Sequence, residues 1–306
     1  MAIHTSLSEV GTEPQTELII NYALHMKKNG RAEITIQRTT RLLTKLSKSA
    51  NLTNPEEVKT VLSNLKWKDT TKKMTAYTLK AFYEYLEVPY KLPQYKIKRE
   101  LPFIPAEEEL DLLIASGEPA TATRLQILKE TGARIGELDY LEWTHVDTQR
   151  GTIYITGEKG SNSRILPISN KLIAMLNHLS RQNDKVFQTC AHSLRTTFEA
   201  LRKRTAIKLN NPRLKKIHFH TLRHWKGTTE YHKTKDIIHV KTVLGHRNIK
   251  STMIYINIES ALYLQASDEW TCKATTNDNE ATQLIEAGFE YVMTTPNGLM
   301  QFRKRK

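Results

Sequence analysis

Apolar residues recur at helical spacing along most of the chain, and one proline-rich segment divides this pattern into two parts. From Glu17 to Leu86, apolar side chains return every three or four residues, the period of a helix with one buried face. Asn54 followed by Pro55 indicates a helix start, because asparagine caps free N–H groups and proline suits the first turn. This part is predicted to be a small, wholly helical domain.

The dividing segment, PYKLPQYKIKRELPFIP, covers residues 89–105 and contains four prolines without a helical period. This composition favours an extended linker. The length of 306 residues accommodates two domains with their own cores. We therefore place an N-terminal helical domain at 1–90, a linker at 91–104, a second domain at 105–270 and a C-terminal tail at 271–306.

The second part begins with helical segments, one of them predicted to carry Arg134 to Trp143, and then changes period. Residues 152–156 and 163–168 are β-type runs separated by a turn, which predicts a hairpin with Lys159 and Gly160 at its tip. Further helices follow, and the tail contains a short helix near 281–287 and a Pro-Asn-Gly turn at 296–298. The expected fold is mainly α with a small antiparallel β-sheet.

The chain is basic, with 46 Lys and Arg against 32 Asp and Glu and a formal charge of +14. Such a protein usually binds a polyanion, because each cation placed on a phosphate releases condensed counterions. Nucleic acid is therefore the leading partner, although a merely basic protein remains an alternative at this point. No window approaches the ~20 apolar residues of a membrane span, so no membrane association and a cytoplasmic location are expected.

Several classes of chemistry are disfavoured by missing motifs. The sequence has no GxxxxGK[ST] loop for nucleotide hydrolysis and no HExxH motif. Its two cysteines, Cys190 and Cys272, are far apart, which argues against a disulfide framework and a cysteine-rich zinc module. Six histidines crowd residues 218–246, but their spacing fits no compact zinc finger. No metal and no other cofactor is expected.

The second part of the chain contains residues suited to bind a phosphate and one residue suited to attack it. They occur in the segments TGARIGEL, GEKG, HTLRH, LGH and STMIYIN, and are Arg134, Lys159, His220, Arg223, His246 and Tyr255. Each has a simpler interpretation when taken alone: a tyrosine among Met and Ile is usually core, and an arginine is usually in a surface ion pair. Glu137, three residues after Arg134, could orient the site or be an exposed acid.

In this order and at these separations, the residues resemble the tyrosine recombinase family, which includes phage integrases and Xer-like proteins. The pattern is Arg, hairpin Lys, HxxR, LGH and Tyr, and Tyr255 follows His246 by nine residues. The resemblance covers about residues 105–265 and is strongest to archaeal members. Trp225 and Lys226 depart from it, since many relatives have small residues and Thr or Ser there.

The resemblance implies a chemistry that the residue types can perform. A tyrosine phenolate that forms a 3′-phosphotyrosyl link conserves the phosphodiester energy, so DNA strands can be exchanged without ATP or metal. Tyr255 is implied as the nucleophile, and Arg134 and Arg223 as the guanidinium forks that stabilise the phosphate. Lys159 is implied as the general acid, with His220 as the general base and His246 as a hydrogen-bond partner of the phosphate.

The resemblance also implies an architecture and an assembly. A helical core-binding domain and a catalytic domain would form a C-shaped clamp around double-stranded DNA at a specific recombination site. Protomers would self-associate on paired sites, as a tetrameric synapse, with the tail contacting a neighbour and the protein associated with the nucleoid. Two alternatives stay open: a type IB topoisomerase, which only relaxes DNA, and a DNA-binding relative without turnover.

Overall fold

The computed structural model describes residues 13–97, 100–158, 160–263 and 270–305. The chain divides near residue 100 into two compact units. Both units are built mainly from α-helices, and the second also contains two small antiparallel sheets. The predicted fold class, mainly α with a small antiparallel sheet, is confirmed.

The described residues of the N-terminal unit form four α-helices around one apolar core. They are α1 (Glu13–Lys28), α2 (Glu33–Ser47), α3 (Pro55–Asn64) and α4 (Asp69–Tyr85). The core is formed by the side chains that recur at helical spacing, including Tyr22, Leu43, Leu46, Leu62, Leu79 and Phe82. The predicted start of α3 is confirmed, since the Asn54 side chain accepts from the backbone N–H groups of Glu56 and Glu57 and Pro55 occupies the first turn.

In the C-terminal unit, the described residues from 101 to 263 form seven α-helices and one hairpin around a second core. The helices are α5 (Glu107–Ala115), α6 (Pro119–Thr131), α7 (Asn170–Asn177), α8 (Ala191–Lys208), α9 (Phe219–Thr234), α10 (Ile237–Leu244) and α11 (Ile254–Tyr263). Short 3₁₀ helices span Ile135–Tyr140, Trp143–His145, Pro212–Lys216 and Ile249–Ser251. Leu125, Ile127 and Leu128 of α6 lie in the centre of this core.

The predicted hairpin is confirmed. Strands β1 (Val146–Asp147), β2 (Thr152–Ile155) and β3 (Arg164–Pro167) form an antiparallel sheet in sequence order. Ile153 pairs with Leu166 and Ile155 with Arg164, and all four side chains point into the protein. The period of two along both strands fixes this register, because a slip by one residue would expose the apolar set.

The segment from Arg134 to Trp143 differs from the prediction of an α-helix. Gly132 adopts a left-handed conformation (φ +62°) that ends α6, and Arg134 is extended. The chain then continues in 3₁₀ turns, and at their start the Glu137 carboxylate accepts the backbone N–H of Arg134, as a residue in the third position of a helix commonly does. The tight geometry places Arg134 at the start of a short helix, where its side chain points away from the core.

The tail forms a separate small sheet. Strands β4 (Trp270–Thr275), β5 (Glu290–Thr294) and β6 (Met300–Arg305) pair antiparallel in the order β4-β6-β5, with α12 (Asp278–Glu286) between the first two strands in sequence. The buried Phe302 and Ala281 join the sheet to the helix. The basic residues 303–305 belong to β6. In the described part of the chain, no helix is long and apolar enough to cross a membrane.

Replacing Asn54 by alanine removes the side-chain acceptor at the start of α3. The expected cost is about 1 kcal/mol, so the amides of α3 should exchange hydrogen about fivefold faster while those of α8 are unchanged. Hydrogen exchange followed by mass spectrometry measures both helices in one experiment. The matched control is Asn64→Ala at the exposed end of α3, and equal acceleration in both variants would contradict the assignment of the cap.

Candidate active site

The elements of the C-terminal unit bring five of the six predicted residues into one cluster. Arg134 precedes the first 3₁₀ helix, His220 and Arg223 lie in the first turns of α9, His246 follows α10, and Tyr255 lies in the first turn of α11. The charges of Arg134 and Arg223 act on His220, His246 and Tyr255 alike, which places all five within electrostatic reach. Lys159 lies outside the described residues.

Arg223 is the most deeply buried member of the cluster, with 1% of its surface exposed. Its Nη1 donates to the carbonyl oxygen of Gly132 and its Nη2 to that of Leu244, both at 2.6 Å. Burial and the nearby positive charge of Arg134 lower the pKa of Arg223 to about 10. The side chain therefore remains protonated at neutral pH and joins the ends of α6 and α10 to α9.

Arg134 is the more accessible arginine, because 30% of its side chain is exposed. Glu137 contacts Arg134 twice. One carboxylate oxygen accepts the Arg134 backbone N–H at 2.9 Å, and the other lies 3.5 Å from Nη1 of the Arg134 guanidinium. The Glu137 side chain is completely buried and forms an ion pair with Arg164 at 2.9 Å. The alternative that Glu137 is an exposed surface acid is therefore wrong.

Glu137 remains ionised despite its burial. Desolvation alone would raise its pKa, but the hydrogen bond and charge of Arg164 and the backbone N–H of Arg134 lower it below the usual value. A buried carboxylate that stays charged needs such partners, because an unpaired charge in the interior is very costly. Glu137 thus supplies a fixed negative charge beneath Arg134.

Tyr255 is buried, with only 2% of its surface exposed, and packs against α9. Its ring lies on Gly227, where an added Cβ would be 2.5 Å from the ring carbon Cζ. Burial raises the pKa of Tyr255 to about 12, while the positive charges of Arg223 and Arg134 act in the opposite direction. Burial by itself fits a core tyrosine as well, so the neighbouring guanidinium groups are what distinguish this position.

His220 and His246 are both held as neutral imidazoles at neutral pH. Protein surrounding the His220 ring removes water from it, and Arg223 and Arg134 add positive charge, so its pKa is lowered although the residue reaches the surface. His246 is buried, and the same causes lower its pKa to about 3. Its Nδ1 lies 2.9 Å from the hydroxyl of Thr252, which orients the ring.

The ring of His224 neighbours both the candidate base and the candidate nucleophile. Its ring packs edge-on against His220, with centroids 4.6 Å apart, and its centroid is 5.9 Å from that of Tyr255. Burial lowers the pKa of His224 to about 4, with contributions from His220 and Arg223. These contacts assign His224 a packing role beside the cluster.

The remaining histidines take part in structural contacts. His218 lies 3.1 Å from Arg202, while His232 and His239 lie beside the carboxylates of Glu259 and Glu230. Among the residues that the structure describes, no three His, Cys, Asp or Glu side chains are grouped as ligands for a metal ion. The two departures from the family pattern also pack structurally: Lys226 pairs with Glu230, and Trp225 lies beneath Lys129.

A cleft of about 670 Å³ opens beside the cluster. Arg134 and His220 line it on one side, and Arg195, Phe198, Glu199 and Arg202 of α8 line it on the other. A substrate that fills this cleft reaches Arg134 and His220 directly. The charged residues along α8 provide further polar contacts outside the cluster.

Two residues of the site were not identified from the sequence. Arg164 is a buried partner of Glu137, and Gly227 provides the surface on which Tyr255 packs. A glycine inside the helical segment HTLRHWKGTTEY is the kind of signal that indicates a close approach of another group. Nothing in the sequence around Arg164 distinguishes it from other strand arginines.

Comparison with known proteins gives a consistent result. A model of the phage integrase family matches residues 104–261, more than half of the chain. The tyrosine recombinase of Thermosipho africanus is 27% identical over 273 residues, covering 79% of this chain and 94% of that protein. The tyrosine recombinase XerA of Pyrococcus furiosus is 25% identical over 258 residues, covering 80% and 90%.

The fold is also similar to that of a solved structure. A lambda integrase dimer bound to a core site has a TM-score of 0.63 at 13% identity, covering 78% of this chain and 94% of that chain. At this identity the likeness concerns the fold alone. The family model, however, spans all the elements that carry the cluster, and the chain accordingly belongs to the phage integrase family and is a tyrosine site-specific recombinase.

Proposed function

We propose that this recombinase cleaves and rejoins double-stranded DNA at specific sites through a 3′-phosphotyrosyl intermediate on Tyr255. The observation that carries the proposal is the location of Tyr255 within electrostatic reach of Arg223 and Arg134, the two guanidinium groups that also act on the neutral imidazoles of His220 and His246. These groups match a reaction in which a phenol attacks a phosphodiester and negative charge develops on the phosphate oxygens. Nucleic acid is also the partner that the charge of +14 favours.

In the proposed cleavage step, the Tyr255 hydroxyl oxygen bonds to phosphorus and the bond to the 5′ oxygen breaks. His220 accepts the phenol proton, because its lowered pKa leaves it neutral at working pH. Arg134 and Arg223 stabilise the charge on the nonbridging oxygens, and the resemblance assigns the proton for the leaving 5′ oxygen to Lys159. Rejoining reverses these transfers with a 5′ hydroxyl of another strand, so no step in the scheme uses ATP or a metal.

His246 is proposed as a hydrogen-bond donor to the phosphate. When the Thr252 hydroxyl donates to Nδ1, the proton of the neutral ring is on Nε2 and can be donated to an anion. The burial of Tyr255 adds a condition: either the phosphate enters the cluster or the first turn of α11 moves toward the cleft.

The assembly on DNA is also part of the proposal. Lambda integrase was solved as a dimer on DNA. We propose that this chain assembles as a tetramer on paired sites of a mobile element or chromosome, at the nucleoid.

The division of roles between the parts of the chain is proposed as well. Residues 1–90 would be the core-binding domain and 105–270 the catalytic domain, joined by the 91–104 linker, with the 271–306 tail contacting a neighbouring protomer. All regular secondary structure in residues 13–97 is helical. The described members of the cluster lie in the second unit. Both facts support this assignment.

To test the covalent step, the protein is incubated without added metal with a pool of nicked duplexes of randomised sequence. The products are then separated on a denaturing gel. The protein is expected to form a complex that survives the denaturant, and Tyr255→Phe should abolish it, because phenylalanine has no nucleophilic oxygen. The matched control is Tyr231→Phe, a tyrosine that packs against the same small apolar cluster. Loss of the complex in both variants, or its persistence in Tyr255→Phe, would refute Tyr255 as the nucleophile.

The trapped duplexes also separate a recombinase from a relaxing enzyme. Incubated with a second duplex of the same sequence, a recombinase joins strands between the two molecules. A type IB topoisomerase reseals the original strand and relaxes supercoiled plasmid. Strand transfer without relaxation of unrelated plasmid supports site-specific recombination.

The pH dependence of cleavage tests the role of His220. The rate of adduct formation at saturating protein should rise with pH and reach half its maximum below ~6.5, the usual pKa of histidine, because the site lowers the pKa of His220. The expected acidic limb disappears in His220→Gln together with most of the activity. A half-maximum above pH 7 would contradict the assignment of His220 as the base.

A further inference from the structure

The return strand of the hairpin contributes a buried arginine that the scheme above does not use. Arg164 is the first residue of β3, and only 4% of its side chain is exposed. Its Nη2 donates to Glu137 at 2.9 Å and its Nε donates to the carbonyl oxygen of Val243 at 2.8 Å. Its Nη1 lies 3.4 Å from Glu137 and 3.2 Å from the carbonyl oxygen of Asn162. The guanidinium is thus fixed in position from three directions.

These contacts lead directly to Arg134. The carboxylate oxygen of Glu137 that accepts from Arg164 also accepts the backbone N–H of Arg134 at 2.9 Å. The other oxygen lies 3.5 Å from the Arg134 guanidinium. A shift of Arg164 therefore moves the carboxylate that orients Arg134.

The same strand end is attached to the turn before His246. Ser161 Oγ donates to the carbonyl oxygen of Gly245 at 3.0 Å, and the Asn162 backbone N–H donates to the same oxygen at 2.9 Å. A Cβ at Gly245 would lie 2.6 Å from the Asn162 carbonyl oxygen and 2.9 Å from Arg164 Nη1. The close approach holds β3, α10 and the Arg134 segment as one unit.

A lysine cannot replace these contacts. An ammonium group has the same charge, but it lacks the planar fork that reaches Glu137 and the Val243 carbonyl oxygen together. Arg164 does not reach the cleft, and burial of an arginine is unfavourable unless partners compensate its charge and accept its hydrogen bonds. The partners here are the residues that position the more exposed phosphate-binding arginine.

We propose that Arg164 is a positioning residue of the strand-cleavage site, which holds Glu137 and, through it, the guanidinium of Arg134 at the scissile phosphate. The inference rests on the proposed cleavage function. It assigns Arg164 no contact with DNA. Its effect on the reaction is therefore expected to depend on Arg134.

The test uses a duplex obtained from the trapping experiment, with sulfur in place of the 5′ bridging oxygen of the scissile phosphate. Sulfur leaves without a proton, so general acid catalysis is bypassed and the stabilisation of the phosphate is isolated. Adduct formation is measured in single turnover at saturating protein for Arg164→Lys, Arg134→Lys and the double variant. Duplex affinity and melting temperature are measured alongside.

The matched control is Arg124→Lys. Arg124 is 4% exposed in the same unit, and its guanidinium donates to the hydroxyl and carbonyl oxygens of Thr189, away from the cluster. Arg124→Lys therefore also removes a buried guanidinium group, but it leaves the contacts of Glu137 unchanged. If Arg164→Lys melts at a lower temperature than this control, the isosteric Glu137→Gln variant takes its place in the same cycle.

The proposal expects Arg164→Lys to slow cleavage on the order of 100-fold at unchanged duplex affinity, the scale of a group displaced by about 1 Å. In the Arg134→Lys background, adding Arg164→Lys should slow cleavage little further, because both substitutions act through the contact between Glu137 and Arg134. Undiminished cleavage by Arg164→Lys, or effects of Arg164→Lys and Arg134→Lys that multiply, would overturn the proposal. Absence of any adduct with the unmodified protein would instead refute the proposed function.

Discussion

The carboxylate of Glu137 lies buried among guanidinium groups, and the geometry of the candidate site depends on this interaction. Arg164 and Arg134 contact it, and the charge of Arg223 also acts on it. One negative charge faces three positive charges, while the two nearby histidines are held neutral. The cluster therefore has excess positive charge, partly buried and partly open to the cleft, which favours binding of an anion. In the proposed reaction, a phosphodiester would supply the balancing negative charge and the transition state would supply more.

The helix ends around the cluster explain how so much positive charge is tolerated. Arg223 donates to the carbonyl oxygens of Gly132 and Leu244, at the C-terminal ends of α6 and α10. Carbonyl groups at helix ends lack partners within the helix and carry partial negative charge. Both helices end in a left-handed glycine, Gly132 and Gly245, which turns the chain sharply enough to direct these groups toward one guanidinium.

Much of this arrangement could be predicted from the sequence, because the relevant signals are local. Helical periodicity, the Asn54 cap and the alternation along β2 and β3 are set by neighbouring residues, and each prediction is confirmed. The order of the motifs indicated which side chains could act together. The clustering of the described members agrees with that expectation, whereas their catalytic roles remain predictions.

The contacts that could not be predicted join residues distant in sequence. Arg164 meets Glu137 across 27 positions, and Tyr255 packs on Gly227 of a different helix. No local pattern encodes such a pairing. The single helix predicted from Arg134 to Trp143 is divided into two short 3₁₀ helices, a local detail that helical periodicity does not distinguish. Likewise, the pairing of β4 with β6 in the tail depends on residues separated by a helix and a strand.

The measurement that tests the central claim most directly is the identification of the residue to which DNA becomes attached. The trapped complex is digested with nuclease and protease, and the peptide that retains a nucleotide is sequenced by tandem mass spectrometry. The account predicts a nucleotide joined through its 3′ phosphate to Tyr255, on a peptide containing STMIYIN. Attachment to any other residue, or through a 5′ phosphate, would contradict it.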